Sequence, residues 1–505
     1  MNADVNTRLR EIEAEILARR PEHAIEPSLD RIRALVTLLG DPQRAYPVIH
    51  ITGTNGKTST ARMTETLLRA RGLRTGLFTS PHLSSMRERI CVDGEPLSAE
   101  RFIEAYEEIE PYLRLVDESQ PVRLSFFEVF TGMAFAVFAD APVDVAVIEV
   151  GMGGTWDSTN VADGAVAVIT PIALDHQLYL GDDVETIAAD KAGIIKPGAV
   201  AVLAQQPLDA ATALMVRAAE AGAAVAREGL EFGVLSRALA LGGQQLAIRG
   251  LLGDYDDLFL PLFGAYQAGN AACALAAVEA FAGAAPVDTG APDDGPDHNG
   301  ASDSSAAPGQ GAAIPLQRAP GGASSDQRLG PLDPDLVREA FAMMSSPGRL
   351  EIVRRGPVVV LDAAHNPAGM AATMGALTEA VSFSELITIL AVSEDKDVPG
   401  ILDELEPVAA QLVVTRNSSP RSMDAGKLGE LASAVFTADR VTVAPRLDDA
   451  IDIAVAMADE ATAAAGGDPG MPGGAAVLVT GSVVTAGDAR VLLTGRGAAG
   501  EAATE

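Results

Sequence analysis

The sequence predicts an α/β protein made of two domains, each built around a mostly parallel β-sheet. Short apolar runs rich in β-branched residues alternate along the chain with helix-prone segments, which is the pattern of strands joined by helical crossovers. The run at 143–150 (VDVAVIEV) is apolar on both faces apart from two acids, as expected for a strand covered by helices on both sides. With 505 residues, 48% of them apolar, the chain is long enough for two or three domains.

The first half of the chain is predicted to begin with two helices within residues 1–45, the second at about 29–39. The predicted strands of this half lie at 48–51, 74–79, 143–150, 164–170 and 199–204. The predicted helices after residue 45 lie at 57–71, 99–115, 126–139 and 265–282.

The second half opens with a stretch that differs in composition. Residues 283–330 are mostly Pro, Gly, Ser, Ala and Asp, so they cannot bury enough apolar surface to offset the entropy of ordering. We therefore expect domains at 1–283 and 333–505, separated by a disordered insertion at 284–332. A helix at 335–344 is followed by predicted strands at 358–361, 386–392, 411–415 and 477–480. Residues 466–474 are predicted to be a mobile loop, and the tail from residue 495 is predicted to fray.

Charge and composition exclude several classes of partner. The formal net charge is −32, and a uniformly acidic surface repels nucleic acid and anionic membranes. No apolar run is long enough to cross a bilayer, and the charged N-terminus lacks the apolar core of a signal peptide. Two cysteines, Cys91 and Cys273, are too few for a disulfide framework and are expected to be buried free thiols. We expect a cytoplasmic monomer.

The most informative segment is YPVIHITGTNGKTST at 46–60. An apolar run ends at a glycine-rich turn that opens a helix, so backbone N–H groups and the helix N-terminus converge where phosphate would bind. The long Walker pattern fails because Ile51 stands at its first glycine, and only G-x-x-G-K-T remains. Lys57 would reach the terminal phosphates and Thr58 would lie on Mg²⁺. An ordinary strand–turn–helix corner is the alternative.

Polar residues also follow the other predicted strands. Ser80, Glu149 and the pair Asp175–His176 each come at or just after a strand end, and open parallel sheets bind ligands at that edge. Oxygen ligands with one imidazole suit Mg²⁺ beside phosphates. Each residue also has a simpler interpretation: Ser80 as a cap, Glu149 as a solvated rim charge, and His176 as a capping or packed histidine.

Chemistry alone allows two interpretations of several further candidates. Lys191 lies in an amphipathic stretch, where a lysine is usually a surface cation, and that interpretation is favoured. Trp156, the single tryptophan, either stacks on a flat ligand or packs its loop down. In the second half, Asp362, His365 and Asn366 end a strand and open a helix, although His365 is also explained as a plain N-terminal helix residue.

Taken in order, these segments resemble the folylpolyglutamate synthase/dihydrofolate synthase family, bifunctional type, within the Mur ligase superfamily. The motifs that carry the resemblance are TGTNGKTST, TSPHL, FFEVFT, EVGMGG, DSTN, ITPIALDHQLYLG, DKAGIIKPG, YQAGNAACA, SPGRLE, LDAAHNP and VTGS. They cover nearly the whole chain outside the insertion. The resemblance implies an N-terminal P-loop ATPase domain similar to the Mur ligase central domain, and a C-terminal Rossmann-like α/β domain.

The same resemblance implies an activity, an ATP-driven amide ligase acting through an acyl phosphate. The substrates would be L-glutamate, ATP and a pterin acceptor, which is dihydropteroate, a reduced folate or both. The implied cofactors are ATP, two Mg²⁺ ions and a CO₂-derived carbamate on Lys191, which would overturn the surface interpretation of that lysine.

Site residues are carried over from the family position by position. The implied catalytic residues are Lys57, Lys191, His176 and His365. The implied ATP contacts are Gly53, Thr54, Asn55, Gly56, Lys57, Thr58, Ser59, Asn270, Arg349 and Asp362. The implied metal ligands are Thr58, Ser80, Glu149, His176 and Lys191. The implied acceptor contacts are Glu26, Pro27, Ser28, His82, Ser125, Phe126, Phe127, Glu128, Trp156, Asp157 and Ser158.

Two departures and two rival functions qualify the resemblance. The family usually has an arginine where this chain reads Gly154-Thr155-Trp156, and a glutamate where Asp190 stands. One rival is a cell-wall Mur ligase that adds an amino acid to a nucleotide-sugar peptide. The other is a P-loop regulator that binds ATP without turning it over, which would leave Glu149, His176 and Lys191 with no reason to converge.

Overall fold

The computed structural model describes residues 2–21, 26–283, 332–467 and 473–495. The predicted insertion at 284–332, apart from its last residue, lies outside the described residues. So do most of the tail that was predicted to fray and five residues of the loop predicted at 466–474.

The first sheet has eight strands, and its centre is parallel. Its strands are β1 (Val48–Thr52), β2 (Thr75–Phe78), β3 (Ile90–Val92), β4 (Glu95–Pro96), β5 (Val145–Glu149), β6 (Gly164–Ile169), β7 (Val200–Leu203) and β8 (Ala224–Arg227). They run in the order β4-β3-β2-β5-β1-β6-β7-β8. The antiparallel pairs of this sheet are β2–β3 and β3–β4. Strand β1 therefore lies in the middle, between β5 and β6.

Helices cover both faces of this sheet. They are α1 (Asn2–Leu17), α2 (Asp30–Leu38), α3 (Lys57–Ala70), α4 (Ala99–Ser119), α5 (Phe126–Asp140), α6 (Gln177–Leu180), α7 (Val184–Lys191), α8 (Leu208–Glu220) and α9 (Ala265–Phe281). Ile49 and Ile51 on one face of β1 pack in a core with α3 and α9. On the other side of the sheet, α1, α2, α4 and α5 form a second core, rich in phenylalanine. The doubly wound arrangement predicted from the strand pattern is confirmed.

A small antiparallel sheet follows the first one and was not predicted. Its strands β9 (Gly233–Ala240), β10 (Gly243–Arg249) and β11 (Asp254–Leu260) pair in the order β11-β10-β9. Much of β9 is exposed, including Leu235 and Leu239. Because apolar and polar residues do not alternate there, the strand lacks the period-2 pattern that identifies a half-buried strand.

The second sheet has six strands, all parallel except the first. Its strands are β12 (Glu351–Arg355), β13 (Val358–Leu361), β14 (Leu386–Leu390), β15 (Gln411–Val414), β16 (Val441–Val443) and β17 (Ala476–Thr480), in the order β12-β13-β17-β14-β15-β16. Its helices are α11 (Pro367–Ala380), α12 (Val398–Leu405), α13 (Ala425–Val435), α14 (Leu447–Ala464) and α15 (Val483–Thr494). This is the Rossmann-like α/β architecture expected of the C-terminal part.

One helix lies apart from this second sheet. Helix α10 (Pro334–Ala342) precedes β12 and lies within the range predicted for the second domain, 333–505. Its apolar side chains Val337 and Phe341 are fully buried in the core shared with α3 and β11. The chain therefore completes the first core after the insertion and before it enters the second sheet.

Two further expectations concern membranes and thiols. Across the described parts of the chain, no helix combines the length and the apolarity that crossing a membrane requires. Cys91 and Cys273 are both free and buried, as predicted. Burial raises the pKa of the Cys91 thiol to about 12, so this group is inert at neutral pH.

Candidate active site

The turn between β1 and α3 is shaped by two glycines with positive φ, where any side chain would be strained and crowded. Gly53 has φ +144°, and a Cβ there would lie 1.9 Å from Thr170 Oγ1. Gly56 has φ +88°, and a Cβ there would lie 2.4 Å from Asn270 Oδ1. Helix α3 begins directly after Gly56, so its free N–H groups face the turn. The segment is thus a tight, anion-binding loop followed by a helix N-terminus.

Lys57 is held by this loop from within. Its Nζ donates to the carbonyls of Gly53 and Thr54, both at 3.1 Å. Burial lowers its pKa, while the charges of Glu149 and Asp175 act in the opposite direction. A partly buried ammonium with only carbonyl partners is poised to neutralise an incoming phosphate.

Glu149 is the buried carboxylate at the centre of the site. Thr58 Oγ1 donates to its Oε1 at 2.8 Å, and the backbone N–H of Ser80 donates to its Oε2 at 3.2 Å. The side chain is 1% exposed, and burial raises its pKa. Three predicted site residues from three separate strand ends therefore meet, although Ser80 contacts Glu149 through its backbone.

These donors suit a magnesium ion that phosphate oxygens help to hold. In the ranges that the structure describes, no three His, Cys, Asp or Glu side chains form a metal cage of their own. Mg²⁺ typically uses one or two protein oxygens and completes its shell with phosphates and water. The Thr58 hydroxyl and the Glu149 carboxylate fit that pattern.

Lys191 is buried, so the surface interpretation of this residue from chemistry alone is wrong. It is 4% exposed, and its Nζ donates to the Gly53 carbonyl at 3.0 Å. Burial, followed by the charge of Lys57, lowers its pKa to about 7. The cause is close packing: a Cβ on Gly154 would lie 2.6 Å from the Lys191 carbonyl oxygen. Helix α7 thus lies directly against the loop after β5, and its last side chain turns under the P-loop.

Asp175 gathers the remaining charged groups at the domain interface. Lys396 Nζ contacts its Oδ1 at 2.6 Å, while Nε2 of His365 and Nε2 of His176 lie 3.6 and 3.8 Å from its Oδ2. Burial opposes the charged form of Asp175, but the histidines and Lys396 outweigh it and lower the pKa. Burial lowers the pKa of His176 to about 3, so this imidazole is neutral at pH 7. The charge of Lys57 affects the pKa of His176 as well as that of Glu149, so this lysine interacts electrostatically with both groups.

The second domain reaches the P-loop through Asn366. Its Oδ1 caps α11, and its Nδ2 donates to Asn55 Oδ1 at 3.2 Å and to Asp175 Oδ2 at 3.1 Å. Ser59 on α3 also pairs with Ser346 at 2.9 Å between hydroxyl oxygens. Asp362 is buried and accepts from the Leu350 and Ala364 N–H groups and from Thr373. These bonds hold Leu350, the residue directly before β12, against the end of β13. They do not test the ATP contact of Asp362, which stays a prediction.

A small cavity contains most of the predicted acceptor contacts. The predicted residues that line it are Glu26, Ser28, Ser125, Phe127, Glu128, Trp156, Asp157 and Ser158. Phe126 instead packs under the Arg89 guanidinium, with the carbon of that group 4.9 Å from the ring centroid. His82 lines a different cavity, together with Thr58 and Arg349. We call the first of these the acceptor cavity.

The wall of the acceptor cavity holds an ion pair that sequence reasoning missed. Arg31 Nε donates to both oxygens of Glu128, at 2.9 and 3.1 Å, and its Nη2 donates to the Glu26 carbonyl. Glu128 also closes a capping box with Ser125 at the start of α5, which the S-x-x-E spacing could have indicated. Arg31 gave no comparable signal, because its partner lies far away in sequence.

Replacing Arg31 by methionine should lower the free energy of unfolding by about 3–5 kcal/mol. The two side chains are 6% and 4% exposed, and removing one partner leaves an unpaired buried charge. Urea denaturation would measure the loss, and adding Glu128→Gln should recover part of it. Arg446→Met, which breaks a fully exposed ion pair, is the matched control and should leave the urea midpoint unchanged.

A larger cleft of about 720 Å³ opens between the domains. Its lining includes Asp175, His176, Asn366, Lys396 and Arg421. Met152, three residues after Glu149 in sequence, lines both this cleft and the acceptor cavity, so the two spaces share a wall residue. The arrangement can bring a bound acid, a polyphosphate and an amine to one point.

Comparison with known proteins agrees with this geometry. Residues 348–483 match the family "Mur ligase, glutamate ligase domain". A dihydrofolate synthase/folylpolyglutamate synthase of Mycobacterium tuberculosis is 47% identical over 96% of this chain and 93% of its own length. An Escherichia coli protein of the same description is 30% identical over 80% of this chain and 81% of its own length.

Solved structures give the same result. Mycobacterium tuberculosis folylpolyglutamate synthase complexed with ADP superposes with a TM-score of 0.84 at 46% identity, covering 97% of this chain and 99% of that one. An FPGS–AMPPCP–folate complex superposes with a TM-score of 0.72 at 29% identity, covering 96% and 99%.

Proposed function

The chain belongs to the dihydrofolate synthase/folylpolyglutamate synthase family, and from that premise we propose which of its residues carry out each part of the reaction. It is an ATP-dependent ligase that joins L-glutamate to a folate-type acceptor by an amide bond. The observation that carries the assignment of residues is the position of Met152, which lines both the acceptor cavity and the interdomain cleft and lies three residues after Glu149 in sequence.

The first part of the reaction is activation of the acceptor. A carboxylate and an amine do not condense in water, so the acceptor carboxylate oxygen attacks the γ-phosphorus of ATP, and ADP leaves. We assign binding of the phosphates to residues 53–59 and neutralisation of their charge to Lys57. Trp156, Asp157 and Ser158 would hold the pterin, since they line the acceptor cavity.

The second part is attack by glutamate. The amine attacks the acyl carbon, phosphate leaves with the bonding electrons, and the nitrogen loses a proton. We place glutamate in the interdomain cleft, where Lys396 and Arg421 supply positive charge. The neutral His176 can bind a metal through a ring nitrogen. The contacts of Asn366 with Asn55 and Asp175 hold the domains together and keep water from the acyl phosphate.

Magnesium and a carbamate complete the proposal. Bound with ATP, Mg²⁺ would offset phosphate charge, and Thr58, Ser80, Glu149, His176 and Lys191 would hold two ions. The neutral amine of Lys191 would add to CO₂ and release a proton, which gives a carbamate. A pKa near 7 supports this step because much of the amine is unprotonated at neutral pH. A cytoplasmic location stays a prediction that the free, buried cysteines support, and the monomeric state also stays a prediction.

We propose that both dihydropteroate and reduced folates are acceptors. The test is to incubate the protein with ATP, Mg²⁺ and radiolabelled glutamate, adding dihydropteroate, tetrahydrofolate or a nucleotide-sugar peptide in turn. Label should enter the products of both pterin acceptors, and the amount of phosphate released should equal the amount of glutamate incorporated. Incorporation into the nucleotide-sugar peptide alone would indicate a cell-wall ligase. ATP binding without glutamate-dependent phosphate release would indicate a regulator.

A further inference from the structure

Strand β1 leads into the P-loop at residues 53–58, and one face of the strand carries buried polar side chains. His50 and Thr52 are two residues apart and therefore point to the same side of the strand. Both are fully buried, whereas Ile49 and Ile51 on the opposite face pack in the apolar core. A buried polar face on a central strand is costly unless its groups are hydrogen-bonded, so these side chains need partners.

Their partners are in the loop that forms part of the acceptor cavity. We call residues 151–160 the acceptor loop. Thr52 Oγ1 donates to the Gly153 carbonyl at 2.7 Å, and His50 Nε2 lies 2.9 Å from Thr159 Oγ1. The strand therefore contacts the outgoing and the returning limb of the same loop.

The contact through Thr159 continues into the wall of the cavity. Thr159 Oγ1 donates to Asp157 Oδ1 at 2.5 Å, and the Thr159 backbone N–H donates to the same oxygen. Asp157 Oδ2 accepts from the Met152 N–H at 3.0 Å. Asp157 thus ties the two limbs of the acceptor loop together, and it lines the acceptor cavity between Trp156 and Ser158.

Proton counting fixes the direction of this relay. A threonine hydroxyl has one proton, and Thr159 gives it to the Asp157 carboxylate, so it must accept from His50. His50 is therefore the neutral tautomer with its proton on Nε2. Burial, followed by the charge of Lys196, lowers the pKa of His50 to about 3, which agrees with a neutral ring. Its Nδ1 is buried and has no hydrogen-bond partner among the described residues.

We propose that His50 and Thr159 are positioning residues for the acceptor: they hold Asp157 and the acceptor loop in the shape that binds the pterin, without touching substrate themselves. The proposal rests on the proposed function, since it assigns these residues to the acceptor side of that reaction. It predicts that the relay affects acceptor binding and not ATP, although His50 lies on the strand that leads to the P-loop.

Four variants test the relay. His50→Leu removes the bond between His50 and Thr159, and Thr159→Val removes both that bond and the one to Asp157. Each variant should raise KM for tetrahydrofolate about tenfold while KM for ATP stays within about twofold. His50→Gln should keep the wild-type KM for tetrahydrofolate, because the glutamine amide can donate from the place of Nε2. The other ring nitrogen, Nδ1, has no partner to lose in the described part of the chain. Thr159→Ser keeps the hydroxyl, so it should also keep the wild-type KM for tetrahydrofolate.

A double variant and a matched control complete the test. His50→Leu/Thr159→Val should be no worse than Thr159→Val alone, since both changes break one chain of bonds. Thr388→Val removes a buried strand hydroxyl that has no hydrogen-bond partner in the described structure, and it should leave both KM values unchanged. Equal damage by His50→Gln and His50→Leu, additive effects in the double variant, or a matching rise in KM for ATP would each refute the relay.

A fluorescence measurement separates this inference from the proposed function. Trp156, the single tryptophan, lies in the acceptor loop, so its emission reports loop geometry without any turnover. His50→Leu should shift the emission of the free protein, and His50→Gln should not. A wild-type protein that turns over neither pterin acceptor would refute the proposed function, yet this shift would still test the relay. Identical emission in both His50 variants would refute the relay even in a fully active ligase.

Discussion

Replacing Lys57 by alanine should reduce glutamate-dependent ADP release by roughly 10³-fold at saturating ATP. The Lys57 ammonium is held by two carbonyls of the loop that would cradle the phosphates. During transfer, negative charge accumulates on the phosphoryl oxygens and the departing ADP. A preorganised cation in a partly dehydrated site stabilises that charge more than water does, so its loss raises the barrier. A coupled assay of ADP release, with each acceptor in turn, measures the effect.

The control for this prediction is Lys427→Ala. Lys427 is an exposed lysine on α13, with 58% of its side chain accessible, so the variant removes the same charge from the surface. It should keep wild-type turnover. If Lys57→Ala retained a tenth of wild-type activity at saturating ATP, the transferred phosphate would have to lie elsewhere.

Much of the site was predictable from sequence because open parallel sheets bind ligands at the carboxyl ends of their strands. Thr58, Ser80 and Glu149 come from different strands, yet the structure brings them together, because neighbouring parallel strands end at one edge of the sheet. The rule needs only strand boundaries, and apolar runs such as VDVAVIEV give those clearly. The doubly wound fold followed from the same pattern.

Residues whose role depends on distant partners were not predictable from local pattern. Lys396 reaches Asp175 across 221 positions, and Arg31 reaches Glu128 across 97. In sequence each is a single cation among polar neighbours, which is the usual context of a surface residue. The antiparallel sheet of β9, β10 and β11 was missed for a different reason, since β9 is too exposed to show alternation.

The burial of Lys191 was also not predictable from the local sequence pattern. Its helical context indicated a surface cation, and only the resemblance to a family indicated an active-site group. The structure buries it because the glycines of the acceptor loop let α7 approach closely. A lysine at the end of a short helix cannot be assigned inside or outside until the surface that the helix packs against is known.

Replacing Lys191 by alanine should reduce turnover by about 10²–10³-fold, and added formate should restore part of it. If the working group is a carbamate, the variant lacks a carboxylate-like anion in a cavity that a small acid can enter. The wild-type protein should also lose activity when CO₂ is depleted. Its activity should fall as pH drops through about 7, because the protonated amine cannot add CO₂. Turnover in buffers of controlled bicarbonate, pH and formate content measures all four effects.

Matched rescue experiments decide which chemical form of Lys191 works. Lys57→Ala lacks a cation, so formate should not rescue it, and this variant controls for a general effect of formate. If methylammonium, rather than formate, restored Lys191→Ala, the working group would be an ammonium that holds the Gly53 carbonyl, as its 3.0 Å contact would allow. A carbamate at Lys191 supplies negative charge and an ammonium supplies positive charge, so the two forms predict opposite rescuing ions. Rescue by an anion would therefore indicate that Lys191 acts as a carbamate that binds metal. Rescue by a cation would indicate that it acts as an ammonium that holds the Gly53 carbonyl.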